Sequence, residues 1–382
     1  MAKKPASDGS LKYHRIVAKL GTNVLTAGTE RLDTELMSSI VAQVAELRKR
    51  GAEVLVVTSG AIAAGRHRLG LHDARKDRKD IPFRQVLAAV GQSDLMQTYQ
   101  ELFTWHDLTI AQTLLTRRDL ADRLGYLNAR NTLLAMLELG VVPIINENDV
   151  VASDEIEGAK IGDNDNLSAL VANLVDADML ALLTDIEGLY SADPRTNPNA
   201  TLIPRVDRID AGVEALAGKT QSERSVGGMA TKIQAAKLAT GGGADMFVVA
   251  GKEPDVLVRI ASGEQVGTYF PAAGDRMESR KRYLLAGLSV RGTIVVDEGA
   301  VRVLRTGKTS LLPAGVREVQ GAFQRGDAVA IAGPDGRIAC GIANYSSDEM
   351  TRIRGLKSSK IEEELGHHYG DEVVHRDNLV LM

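Results

Sequence analysis

Between residues 15 and 270 the chain alternates short aliphatic, β-branched runs with longer segments of helical periodicity, and this constrains its fold more than any other feature. Arg15-Ile16-Val17-Ala18-Lys19-Leu20 reads as a buried strand broken by Gly21 and Thr22. Asp33 is placed to cap a helix that runs to Arg50, with apolar positions at Leu36, Ile40, Val44 and Leu47. Arg48, Lys49 and Arg50 suit its negative end, and Gly51 suits the position just past it. Residues 54–57, 109–115, 141–145, 179–183 and 246–249 read as further strands, and residues 83–103, 128–139, 167–175 and 229–239 as helices. Such alternation predicts an α/β fold with parallel strands and crossover helices. Polar and glycine-rich segments fall just beyond the strand ends, where open sheets of this kind bind ligands.

After residue 270 the pattern changes to short β-like runs at residues 292–296, 328–332 and 337–340, with Gly333-Pro334-Asp335-Gly336 as a turn. A small β-rich domain over residues 282–382 is expected, behind a larger domain over residues 11–272 and a disordered polar tail over residues 1–10. Aromatic residues make up only 4%, so the core must come from Ala, Val, Leu and Ile, as in buried parallel sheets. The single cysteine, Cys340, excludes an internal disulfide and a cysteine-rich zinc site. No signal-peptide or membrane-spanning run is present, which points to the cytoplasm and to no membrane partner. The net charge of -4, with fourteen Lys and Arg against thirteen Asp and Glu in residues 281–382, lacks the basic footprint of a nucleic-acid partner.

Two Gly-Lys-Thr triplets, at residues 218–220 and 307–309, lack the upstream glycine of a P-loop, and no Gly-x-Gly-x-x-Gly opens a helix. The seven histidines show no metal-ligand spacing. Four segments could meet an anion. Lys19-Leu20-Gly21-Thr22-Asn23 would put an ammonium and backbone N–H groups at a strand end; the plain alternative is a surface lysine beside a tight turn. Residues 59–65, Ser-Gly-Ala-Ile-Ala-Ala-Gly, open a helix with small residues, which suits either an anion or close helix packing. Gly162-Asp163-Asn164-Asp165-Asn166 follows a second acid- and amide-rich loop, Asn146-Glu147-Asn148-Asp149. One such loop is usually a turn or a helix cap, whereas two favour a polar ligand or Mg²⁺. Gly227-Gly228-Met229-Ala230-Thr231-Lys232 sets a lysine near a helix N-terminus, a conflict with the helix dipole that an anion would offset; the alternative is a solvated lysine.

These four segments, together with Leu87-Ala88-Ala89-Val90-Gly91-Gln92, Pro143-Ile144-Ile145 and Leu183-Thr184-Asp185, resemble in content and order the glutamate 5-kinase family of the amino acid kinase superfamily. Asp297-Glu298-Gly299-Ala300 and Ser310-Leu311-Leu312-Pro313 are similar to the PUA domain of bacterial members. The resemblance spans the chain beyond its N-terminal tail. It implies the amino acid kinase fold, a three-layer sandwich with a mainly parallel central sheet, plus a small PUA-like domain. It also implies ATP-dependent phosphorylation of the L-glutamate side chain as the first step of proline biosynthesis, with Mg²⁺, feedback inhibition by proline, and a homo-oligomer, dimer or tetramer. Residues 59–62 and 146–149 favour glutamate kinases over acetylglutamate or aspartate kinases.

Carried onto matching positions, the resemblance gives Lys19 to the ATP phosphates and Ser59, Asp149 and Asn164 to glutamate. Thr184, Asp185, Val226, Gly227, Gly228, Met229, Ala230, Thr231 and Lys232 go to the nucleotide, with Lys232 at the transferring phosphoryl group. Val226 stands where the family usually has a hydroxyl residue, and the loop at residues 153–160 is longer than the pattern leads one to expect. A substrate carboxylate is already an anion at neutral pH, so phosphoryl transfer to it requires charge neutralisation rather than a base. Lys19, Lys232 and Mg²⁺ suit that task, with Asp163 or Asp165, and Asp165 in preference, as the organiser of the lysines.

Overall fold

The computed structural model describes residues 11–29, 31–71, 80–152, 164–218, 228–273, 290–306 and 309–381. The expected tail at residues 1–10, the loop at residues 153–160, and Gly162, Asp163, Val226 and Gly227 lie outside them. Contacts divide the chain into two units: Met1–Ala121 with Asn128–Arg276, and Asp122–Leu127 with Met277–Met382.

The first unit is built on a seven-stranded sheet of β1 (Arg15–Leu20), β2 (Glu53–Val57), β3 (Ile110–Leu115), β4 (Val142–Glu147), β5 (Met179–Thr184), β6 (Asp245–Ala250) and β7 (Thr268–Phe270). Their order is β3-β4-β2-β1-β5-β6-β7. Every pairing is parallel except β6 with β7, so the sheet is mainly parallel, with one short antiparallel strand closing its edge. The helices are α1 (Thr22–Thr26), α2 (Thr34–Lys49), α3 (Ala61–Arg68), α4 (Ile81–Thr104), α5 (Arg117–Ala121), α6 (Arg123–Glu138), α7 (Asn164–Leu174), α8 (Ala211–Gly218), α9 (Met229–Gly241) and α10 (Val256–Ala261). On one side of the sheet α2 packs on α4 and α10; on the other α7 packs on α9, β1 and β5.

Local chemistry sets these boundaries. Asp33 accepts a hydrogen bond from the backbone N–H of Leu36 at 3.0 Å, an N-cap as its position predicts, and Gly51 takes φ +86° just past the other end of α2. Alternation along β1 sends Ile16, Ala18 and Leu20 into the core shared with Met37, Ile40 and Val44 of α2. By the two-residue period of a strand, Lys19 points to the opposite face, towards α7. α7 begins earlier than the periodicity suggested, so Asn164, Asp165 and Asn166 form its first helical turn rather than a loop ahead of it.

α3 and α4 meet through glycine. A Cβ on Gly65 would lie 1.9 Å from the Leu87 carbonyl oxygen, and one on Gly91 would lie 1.8 Å from that of Ala61. Only residues without side chains allow backbones this close.

The second unit has a five-stranded sheet ordered β12-β11-β10-β8-β9, from β8 (Gly292–Val296), β9 (Val316–Gly321), β10 (Ala328–Gly333), β11 (Gly336–Ile342) and β12 (Leu379–Leu381). Ile294, Phe323, Val329, Ile331, Tyr345 and Ile361 lie in its own buried core. The helix Ser347–Ile353 starts with a reciprocal capping box between Ser346 and Glu349.

Candidate active site

β1 lies in the middle of the large sheet, and its far end carries Lys19. Strand order puts β2 and β4 on one side of it and β5 and β6 on the other. Two different environments result.

On the β5 side the site is ionic. Lys19 Nζ lies 2.6 Å from Asp165 Oδ1, and Lys232 Nζ lies 3.2 Å from Asp165 Oδ2. The Thr231 hydroxyl donates to the same Oδ2 at 2.9 Å. Asp165 is 1% exposed and each lysine 7%, so two ammonium groups share one carboxylate almost out of water. Burial by itself would raise the Asp165 pKa; Lys19, Lys232 and the Thr231 hydroxyl outweigh it and hold the carboxyl far below its usual range. Neither lysine is the solvated surface group that its sequence alone allowed. Lys232 sits in the first turn of α9, where the dipole disfavours a cation, and Asp165 is the anion that offsets this.

Thr184 ends β5 and Asp185 follows at the exposed rim. Asp185 accepts from Asn23 at 2.9 Å and from the Thr184 hydroxyl at 3.0 Å. Against partial desolvation, these bonds lower its pKa. Gly228, Met229 and Ala230 begin α9 beside Thr231 and Lys232. Asn166 ties α7 to α9 by donating to Gln234 at 3.0 Å.

On the β2 and β4 side the buried hydrogen-bonded chain is made of neutral amides and a hydroxyl. The Asn164 amide nitrogen donates to the Thr58 carbonyl at 2.6 Å, to Ser59 Oγ at 3.1 Å and to Asn146 Oδ1 at 2.9 Å. Asn146 Oδ1 also accepts from the Glu147 backbone at 2.9 Å, and Asn146 Nδ2 donates to Gln92 Oε1 at 2.8 Å. Ser59 leads through Gly60, at φ +93°, into α3. Asp149 follows β4 in a partly buried turn.

The structure thus gathers Lys19, Asp165, Thr231 and Lys232 into one cluster, Ser59 and Asn164 into a second, and Thr184 and Asp185 into a third. Gln92 and the Asn146 side chain were not among the residues singled out for the site. Gln92 had no signal beyond lying in a segment that carries the family resemblance, whereas Asn146 also lies in the acid- and amide-rich loop at residues 146–149 that the sequence marks for a polar ligand.

Residues 14–250 match the Amino acid kinase family and residues 292–365 match the PUA domain. The chain belongs to the amino acid kinase family. Glutamate 5-kinase of Herpetosiphon aurantiacus is 55% identical, covering 96% of this chain and 98% of the relative. Glutamate 5-kinase of Dehalococcoides mccartyi (strain CBDB1) is 51% identical over 97% and 99%, and that of Geobacter sp. (strain M21) 49% over 97% and 98%. Within the amino acid kinases, the chain is therefore a member of the glutamate 5-kinase family.

Proposed function

We propose that the chain transfers the γ-phosphoryl group of ATP to the side-chain carboxylate of L-glutamate, giving L-glutamyl 5-phosphate and ADP, the first step of proline biosynthesis. The observation that carries this reading is the pair of buried ammonium groups, Lys19 and Lys232, converging on Asp165 beside an array of neutral amides. A carboxylate oxygen forms the new bond to phosphorus as the bond to the β,γ-bridging oxygen breaks, and the electron pair leaves with ADP. No proton has to be removed, so a general base has no task. Charge on the transferring group does need to be met, and preorganised cations in a water-poor site do this well.

In this reading Asp165 is the positioning residue. Its two oxygens hold the lysines in place before substrate arrives, so little reorganisation remains for the reaction. Lys19 meets the ATP phosphates and Lys232 the transferring group. Thr184, Asp185 and the α9 start, Gly228 to Thr231, with Val226 and Gly227 before it, take the nucleotide. Ser59, Asp149 and Asn164 take glutamate.

Mg²⁺ fits as an ion carried mainly by the nucleotide phosphates and water, its usual mode in kinases. Both Asp165 oxygens are engaged by Lys19, Lys232 and Thr231. Among the described residues no group of three His, Cys, Asp or Glu converges to cage a metal. When bound, the ion would neutralise phosphate charge alongside the two lysines.

The reading extends to feedback inhibition by proline, a homo-oligomeric enzyme and a cytoplasmic location. Among the described residues, no helix is long and apolar enough to cross a membrane. An ADP-release assay across L-glutamate, N-acetyl-L-glutamate and L-aspartate, with and without proline, tests the core of it. Turnover of glutamate ahead of the other two, suppressed by proline, is expected. Preference for either competitor would overturn the substrate assignment.

A further inference from the structure

Hydrogen-bond polarity along the amide chain runs one way, and two buried atoms are left over. The end of Asn164 beside the Thr58 carbonyl must be its NH₂ group, because a carbonyl oxygen only accepts. The end of Asn146 that meets this NH₂ and the Glu147 N–H must then be its oxygen. So Asn146 turns its own NH₂ towards Gln92, and Gln92 must answer with Oε1. Gln92 Nε2 is the remainder. It is a buried donor without a partner, and Asn164 Oδ1 at the other end of the chain is a buried acceptor without one. Buried polar groups left unmade are costly and uncommon, and two of opposite sense on a single chain point to a ligand that supplies the complement of each.

That complement is an acceptor for Gln92 Nε2 and a donor for Asn164 Oδ1, which on the glutamate reading a carboxylate and an ammonium group would supply. The sheet order separates this end of the site from Thr184, Asp185 and α9, which lie across β1. The carboxylate that receives phosphate belongs at the lysines, so the acceptor at Gln92 is a second carboxylate on the same molecule. Resting on the glutamate reading above, we propose that Gln92 is a specificity-determining residue whose Nε2 donates to the substrate α-carboxylate, while Asn164 Oδ1 accepts from its α-ammonium group. Its backbone is well fixed for this: Gly91, the residue before it, is seated against Ala61, close to Ser59.

Two variants separate a ligand contact from mere support of Asn146. Gln92→Glu keeps an acceptor for Asn146 Nδ2 but replaces the spare donor with a carboxylate oxygen. Gln92→Ala removes both atoms. In steady-state assays, Gln92→Glu should raise the KM for glutamate by about tenfold or more, at least as much as Gln92→Ala, while the KM for ATP shifts less than about threefold; a hydrogen bond to a charged group has this weight. The wild type should favour glutamate over 4-aminobutyrate, which keeps the reacting carboxylate and the ammonium group but lacks the α-carboxylate. In Gln92→Ala that preference should narrow by about tenfold. Near-wild-type kinetics in Gln92→Glu beside a damaged Gln92→Ala would overturn the proposal and leave Gln92 a support. Should Gln92→Glu fail to fold, as judged by its thermal melt, the glutamate to 4-aminobutyrate ratio of Gln92→Ala decides, and an unchanged ratio overturns it. Failure of the glutamate reading itself would appear separately, in the wild type's choice among substrates.

Discussion

Asn164 and Asp165 are neighbours in the first turn of α7, both buried, yet they belong to different chemical worlds. Successive residues of a helix project about 100° apart. One step along the chain therefore carries the site from a string of uncharged amides to a carboxylate between two lysines. The amide string is selective and geometrically demanding but carries no net charge. The ionic cluster is a strong source of charge and offers little discrimination of shape. On the proposed reading, dividing the work this way would let the amides choose a substrate while the lysines meet the phosphoryl charge. A single helical turn keeps the two tasks in register.

The comparison breaks most sharply at Lys232. Lys232→Ala should lower kcat by roughly 10² or more, the scale of losing one preorganised electrostatic contact, with a much smaller change in the KM for glutamate. A kcat within about twofold of wild type would remove Lys232 from the chemistry. Asp165→Asn tests the organiser. It leaves two buried ammonium groups without their anion, and we expect a kcat loss of roughly tenfold or more together with a stability loss of roughly 3–5 kcal/mol.

The sign of the pH dependence follows from the depressed Asp165 pKa. A carboxyl held below its unfolded value, near 3.9, adds stability that is complete above that value and is lost as the pH falls towards the folded one. Urea unfolding at several pH values should therefore show a level gap between wild type and Asp165→Asn from pH 7 to about 5, and a shrinking gap below about pH 4. A gap that widens on acidification would contradict the ionic account.

Gly91→Ala probes the amide side without removing a polar side chain. Its methyl would meet the Ala61 carbonyl, and a stability loss of about 1–3 kcal/mol in denaturant unfolding is expected, with the KM for glutamate rising more than that for ATP. The smallest effect belongs to Asp185→Asn at the exposed rim. Loss of its charge should raise the KM for ATP by only about two- to fivefold, the scale of one modest hydrogen bond, and leave the KM for glutamate unchanged.

Most of the large sheet was legible because β1, β2, β4, β5 and β6 are apolar runs buried on both faces, and Asp33 announced its helix by chemistry local to it. The strands that escaped notice lack such signals. In β9 only Val316 is buried among residues that include Arg317, Glu318 and Gln320, and β7 and β12 span three residues each. At the site, Asp165 could be put beside Lys19 and Lys232 only through the family resemblance, since the three lie far apart in the chain. Gln92 could not be read even so. Its meaning depends on which end of Asn146 faces it, and that is fixed by the Thr58 carbonyl and the Glu147 N–H, groups that meet only after two strands, β2 and β4, and two helices, α4 and α7, have been brought together.

The glycine seam between α3 and α4 bears on how this part of the molecule can move. Where side chains interdigitate, helices can slide by small rotamer changes; where backbone rests on backbone, no soft element is available to absorb a shift. Gly65 and Gly91 thus weld the turn after Ser59 to the helix that carries Gln92. Any closing of the substrate end over its ligand would be a rocking of this welded pair as one body, with the hinge outside it.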